Sequence, residues 1–286
     1  MDGKAIGIVM KIKSITMTLQ NPESVPYLTY NSLSEIKFIK HGFSTRLGGV
    51  SKGIFSSMNL AFNRGDNPDN VVENYQRICN SIGLDFNTLV ASAQDHNTVV
   101  RRVTSENHGI GITKPRDMQS VDALITNEKN VTLVTYYADC TPLFFVDTAK
   151  KAIGLAHAGW RGTVGRIGQK VVEKMSAEFD TNPSDLVCAI GPAISKCCYE
   201  VDKSCADYFY ALGDLDNSRF IFPKENNKYM IDLLETNRQI LVSSGVNPDN
   251  ITVSDLCTRC NSDLLWSHRA TNGNRGTMSA FLVLNT

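Results

Sequence analysis

Three short apolar runs between residues 131 and 158 constrain this chain most. They read VTLVTYY (131–137), PLFFVD (142–147) and AIGLAHA (152–158). Each is rich in β-branched and aromatic side chains and too short for an ordinary helix, so each is predicted as a buried strand. Cys140 and His157 close two of these runs, just before the breakers Pro142 and Gly159. Rigid sheets commonly present functional groups at such ends. A thiol facing an imidazole can hold a metal or work as a nucleophile–base pair. A structural thiol beside a hydrogen-bonded core histidine fits the same pattern.

Composition narrows the classes. A chain of 286 residues that is 42% hydrophobic buries a core easily, as one large domain or two ordinary ones. Its formal net charge of +0 gives no reason to expect nucleic acid or an anionic membrane surface as partner. No apolar stretch approaches the roughly 20 residues of a membrane span. Met1-Asp2-Gly3-Lys4 opens with an acid and no apolar core follows, which argues against a signal peptide and for the cytoplasm. In that compartment the eight cysteines read as thiols or metal ligands. Cys257-Thr258-Arg259-Cys260 is a lone C-x-x-C. A structural zinc site needs a second ligand pair, and adjacent Cys197-Cys198 is not expected to supply it.

Along the chain, residues 11–19 read as an edge strand, 21–31 as a loop and 36–43 as a strand. Asp66-Asn67-Pro68-Asp69 starts a helix that ends at Gly83. Runs 89–93 and 99–104 read as strands around Gln94-Asp95-His96. A helix follows HAGWRG, with Thr163 as N-cap and Ile167, Val171, Val172 and Met175 as its apolar stripe. Residues 186–190 and 278–284 read as strands, and Asp232 with Glu235 as a capping box. Strands that run consecutively and also alternate with helices imply an α+β fold, a large mixed β-sheet flanked by helices. No G-x-G-x-x-G or P-loop motif occurs.

Five histidines are available: 41, 96, 108, 157 and 268. A catalytic zinc takes three protein ligands and keeps one position open. His96 is the best partner for Cys140 and His157, because it too ends an apolar run. His41 reads as a core histidine, His108 as solvated, and His268 as a secondary site candidate.

The segments HGFSTRLGG (41–49), SMNLAF (57–62), GDNPDNVVEN (65–74), SAQDH (92–96), VDALIT (121–126), YADCTPLFF (137–145), GLAHAGWRGT (154–163), AIGPAISKCCYEV (189–201) and DLCTRCNSDLLWSHR (255–269) carry a resemblance. In this order the chain resembles the laccase-domain (multicopper polyphenol oxidoreductase) family, also called the YfiH/LACC1-like purine nucleoside phosphorylase family. The resemblance implies a single domain over 1–286 and a zinc held by His96, Cys140 and His157. It implies phosphorolysis of adenosine, inosine and methylthioadenosine, and deamination of adenosine. Expected partners are purine nucleosides and phosphate, on a monomer or small homo-oligomer. This chain departs from the family at Asp95, where the family is often apolar, and around Arg275, in a segment that usually reads close to GRM.

The residues suit that chemistry. A zinc held by two imidazoles and a thiolate brings a bound water to a pKa of about 7. Arg46 and Arg161 are the expected phosphate cations, and backbone N–H groups at Gly191 and Ala193 an anion nest. Asp139 is expected to orient a ligand imidazole or accept a proton. H-x-E and P-C-x-x-C, which mark the common zinc nucleobase deaminases, are absent. Two other readings stand beside this one. Cys140 and His157 can form a metal-free nucleophile–base pair, as in an amidase that edits peptidoglycan precursors. The same ligands accept copper, although five histidines are few for multicopper phenol oxidation.

Overall fold

A computed structural model describes residues 12–21 and 23–285. The first four residues, on which the signal-peptide reading rests, and Lys11 of the predicted edge strand lie outside the described residues. The α+β class with mixed β-sheet read from the sequence holds, and its strands form two six-stranded mixed sheets with a small three-stranded sheet beside them. The first sheet runs in space as Met17–Gln20, Tyr27–Tyr30, Ile39–Ser44, Met278–Leu284, Thr132–Tyr137 and Leu89–Ala91. The second runs Ile251–Val253, Leu186–Ile190, Thr141–Asp147, Ala152–Ala158, Ala123–Thr126 and Val100–Arg102.

Side-chain alternation explains why the runs carry no polar face. In Thr141–Asp147, Phe144 and Val146 point toward the other sheet and meet Leu133 and Leu282. Leu143 and Phe145 point the opposite way, against Ile167, Val171 and Met175 of the helix Ile167–Phe179. The first sheet behaves alike. Leu282 faces the seam between the sheets, while Phe281 and Val283 meet Val71, Tyr75 and Ile78 of the helix Pro68–Ile82. The result is four layers, helix–sheet–sheet–helix. Each large side chain on the seam contributes about 1.5–3 kcal/mol by its removal from water.

Several expectations hold to the residue. Strands Leu186–Ile190 and Met278–Leu284 have the predicted bounds. Pro68–Ile82 starts with the Asn67 side chain accepting from the Asp69 N–H and stops at Gly83, whose φ of 77° favours glycine. Others need correction. Tyr27–Tyr30, read as loop, is a strand because it pairs with Met17–Gln20. The helix after HAGWRG is two: Trp160–Val164 and Ile167–Phe179, broken where Arg166 takes a left-handed conformation. Thr163 therefore caps nothing; its hydroxyl accepts from Asn237 Nδ2 at 3.0 Å. Pro142 lies inside a strand, opposite His157, rather than ending a run.

His41 is a core histidine, as read from the sequence. Its Nε2 accepts the Tyr30 N–H at 2.8 Å, and burial pushes its pKa down to about 4 from 6.5. The unfolded chain therefore takes up a proton below about pH 6.5, while the folded chain does not until about pH 4. Stability carried by the neutral ring is present above pH 6.5 and lost as pH falls through that window, by roughly 3 kcal/mol. His41→Gln keeps an acceptor and does not titrate. Urea unfolding at pH 7, 5.5 and 4.5 is expected to show a shallower acid decline in the variant, and an identical decline would contradict this assignment.

Candidate metal centre and substrate groove

The chain crosses from one sheet to the other through Ala138-Asp139-Cys140, between strands Thr132–Tyr137 and Thr141–Asp147. This crossing sets Cys140 at one end of the sandwich, beside His157 on the neighbouring strand Ala152–Ala158. His96 arrives from the loop after Leu89–Ala91. The ligand atoms of His96, Cys140 and His157 all lie within 4.8 Å of one another. Cys140 Sγ stands 3.9 Å from His96 Nε2, and the two imidazoles meet edge to face at 4.9 Å.

Asp122 organises both histidines. His157 Nδ1–H donates to Asp122 Oδ1 at 2.8 Å, which leaves Nε2, on the Cys140 side, as the nitrogen that a metal would take in place of a proton. The same carboxylate accepts the backbone N–H groups of Asp95, His96 and Asn97 at 3.2, 3.1 and 2.9 Å. It thereby holds the loop in which His96 adopts a φ of 70°. Gln94 braces the same loop: its side chain accepts the Tyr136 N–H at 2.6 Å and donates to the Tyr136 carbonyl at 2.9 Å. The glycine of HAGW is required by close approach. A Cβ on Gly159 would lie 2.7 Å from His96 Cδ2 and 3.2 Å from Cys140 Sγ.

Electrostatics favours a thiolate. Burial opposes charge on Cys140, but the facing imidazoles of His157 and His96 outweigh it and bring the thiol down to about 6. Burial likewise opposes charge on His157, yet Cys140 and Asp122 raise it to about 9. Burial works against Asp122 too, and His157 with the loop N–H groups still holds it below the usual carboxylate range. Two nitrogens and a thiolate suit a tetrahedral zinc-type ion, whose ligands stand about 3.5 Å apart at bonds of about 2.0–2.3 Å. Small adjustments close the present spacing to that value. His96 lies on the exposed side of the cluster and His157 on its buried side.

Two adjoining cavities, about 130 and about 410 Å³, open over His96 and Cys140, the smaller reaching His157 as well, and share His96, Ala138, Cys140, Arg64 and Arg275 as walls. Arg275 is only 7% exposed; Nη1 donates to the Gly276 carbonyl at 3.0 Å, while Nε finds no acceptor among the described residues. Burial and the nearby Arg64 lower its pKa to about 10. Arg161 lines the larger cavity from the short helix Trp160–Val164 and stacks on Trp160 at 4.2 Å. Tyr199, His268 and Arg269 complete that wall.

Other expectations fall elsewhere. Arg46 lines neither cavity; its guanidinium lies 3.9 Å over the Trp266 ring and Nη1 donates to the Ser262 carbonyl at 2.7 Å. Gly191 and Ala193 form no anion nest. The Gly191 N–H is committed to the Pro142 carbonyl, the neighbouring Ile194 N–H to that of Asp139, and Ala193 is fully buried. Asp139 orients no imidazole; its carboxylate accepts from Thr258 Oγ1 at 2.6 Å and the Arg269 N–H at 2.7 Å, pinning one wall of the groove. The orienting role belongs to Asp122, which lies in VDALIT but looks there like an ordinary residue before a strand. Arg64 and Arg275, neither of them expected as a cation of the site, line both cavities. His108 is half-buried rather than solvated. The four cysteines 197, 198, 257 and 260 do converge, contrary to expectation.

Among described residues, no helix is long and apolar enough to cross a membrane. The chain is 39% identical over 245 residues to the purine nucleoside phosphorylase YlmD of Bacillus subtilis, a match covering 84% of this chain and 87% of that protein. The crystal structure of Bacillus licheniformis hypothetical protein YfiH superposes with a TM-score of 0.85 at 31% identity, over 90% of this chain and 96% of that one. YlmD from Geobacillus stearothermophilus does so at 0.82 and 33%, over 94% and 99%. The family model described as multi-copper polyphenol oxidoreductase laccase matches residues 40–285, and the chain belongs to that family.

Proposed function

We propose that this chain is a zinc-dependent purine nucleoside phosphorylase acting on adenosine, inosine and S-methyl-5′-thioadenosine, with adenosine deamination as a second activity. The observation that carries the reading is the convergence of His96, Cys140 and His157 beneath a groove whose buried Arg275 has an unspent Nε–H. The purine nucleoside phosphorylase name of the Bacillus subtilis relative supports the substrate class.

Phosphorolysis breaks the bond between ribose C1′ and the purine nitrogen and forms a bond from C1′ to a phosphate oxygen. The bonding pair leaves with the purine, which takes up a proton. Arg275 and Arg64 bind the phosphate, since guanidinium forks match its oxygens and their charge offsets its own. The groove places them beside Cys140 and His96, so phosphate and nucleoside are held on the same side. Trp160 and Tyr199 offer aromatic faces to the base in the larger cavity. Bound zinc supplies Lewis-acid polarisation of a substrate oxygen or nitrogen. Asp122 keeps the His157 proton on Nδ1 throughout. Arg64 is exposed and its loss costs little in folding. Arg64→Ala is expected to raise the KM for phosphate about tenfold, or about 1.4 kcal/mol, with KM for nucleoside nearly unchanged.

One observation favours a second reading. Cys140, His157 and Asp122 stand in series as nucleophile, base and orienting acid, the arrangement of a cysteine amidase. Iodoacetamide separates the two. Under the zinc reading, Cys140 is alkylated only after chelation, and chelation also stops purine release until zinc is restored. Equal alkylation with and without chelator, with activity insensitive to zinc, would select the amidase.

A further inference from the structure

We propose that Cys197, Cys198, Cys257 and Cys260 form a second metal site, a closed four-thiolate zinc centre that staples together the two turns walling the substrate groove. Their sulfurs all lie within 4.8 Å of one another. Cys198 Sγ is 3.4 Å from Cys260 Sγ, and Cys197 Sγ is 3.7 Å from both Cys198 and Cys260. Four sulfurs bound at about 2.3 Å around one ion lie about 3.8 Å apart, so the cluster needs only small shifts to close on zinc. All four are free thiols.

The local backbone suits the role. Cys197-Cys198 and Cys257–Cys260 lie on two turns joined by a bridge between Ala193 and Cys257. The Ser195 N–H points at Cys257 Sγ at 3.5 Å, the kind of donor that stabilises a ligating thiolate. Apolar packing does not account for the cluster, because Cys197 and Cys260 are exposed. Binding releases the thiol protons and leaves two sulfur charges in excess of the ion; no electrons move. The Arg269 guanidinium donates to the Cys198 and Glu200 carbonyls and so sets a positive charge beside the first turn.

The consequence reaches the groove. The first turn runs from Ile194 to Tyr199, which both line the larger cavity. From the second, Thr258 donates to Asp139, the residue before Cys140. A staple between these turns fixes that wall without touching substrate.

Zinc per chain is counted on protein stripped by chelator under reductant, refilled with zinc and desalted. Wild type is expected to hold two, Cys140→Ala one, and the double variant Cys197→Ser/Cys260→Ser one. Both replaced thiols are exposed, so the variant is expected to fold; its far-UV circular dichroism checks this. Cobalt in Cys140→Ala is expected to give the sulfur-to-metal charge-transfer band of a thiolate site, absent when the four-cysteine cluster is also disrupted. If the double variant binds as much zinc as wild type, or fresh non-reduced protein shows these cysteines paired as disulfides by mass, the second site is overturned. A wild type holding one zinc, lost in the double variant but kept in Cys140→Ala, supports this site and overturns the catalytic one.

Discussion

Replacing Cys140 by alanine is expected to remove one zinc per chain and to lower kcat/KM for adenosine phosphorolysis by about 10³-fold or more, at least 4 kcal/mol of barrier. Two imidazoles alone hold the ion loosely, and one of them, His96, sits on an exposed loop. The thiolate is the charged member of the set and the one that its neighbours have already brought down to about 6. The fold should survive, because Cys140 is only partly buried and lies at the crossing between sheets rather than within either seam. Zinc content and steady-state kinetics on the same preparation check the expectation. Full zinc with lost activity would instead mark the thiol as a nucleophile.

Asp122 carries the second large effect, and two substitutions separate its roles. Asp122→Asn keeps an acceptor for the loop but turns an N–H toward His157 Nδ1. That forces the ring proton onto Nε2, the nitrogen needed by the metal, so zinc affinity or activity is expected to fall 10–100-fold. Asp122→Ala also strands the N–H groups of Asp95, His96 and Asn97. It is expected to cost about 3 kcal/mol of stability as well, measured by urea unfolding. A normal zinc affinity in Asp122→Asn would show that His157 is not oriented in this way.

The convergence of His96, Cys140 and His157 was legible because each lies at the end of an apolar run, which brings it to one end of a sheet. Local periodicity finds a strand but not its partner. Thr132–Tyr137 pairs with Met278–Leu284, far along the chain, and that pairing puts it in a different sheet from Thr141–Asp147, the next strand in sequence. The helix Pro68–Ile82 was legible from its own caps, whereas the break at Arg166 was not, since an arginine rarely takes a positive φ. Cations were the least legible. Arg46 follows a strand as plausibly as any site residue, yet its guanidinium is spent on Trp266 and Ser262. Arg275 sits in a segment that departs from the family's usual pattern and is buried where its charge faces the groove. Asp122 was missed because a carboxylate before a buried strand reads as a turn until the histidine it serves folds beside it. The cysteine cluster depends on a bridge between residues 193 and 257, which no local spacing reveals.

The most direct test is product analysis of adenosine incubated with the zinc-loaded protein, with and without inorganic phosphate. Adenine and ribose 1-phosphate in equal amounts, formed only with phosphate and lost in Cys140→Ala, are the expected products. Unchanged adenosine, together with unchanged inosine and methylthioadenosine, would contradict phosphorolysis at the His96, Cys140 and His157 site.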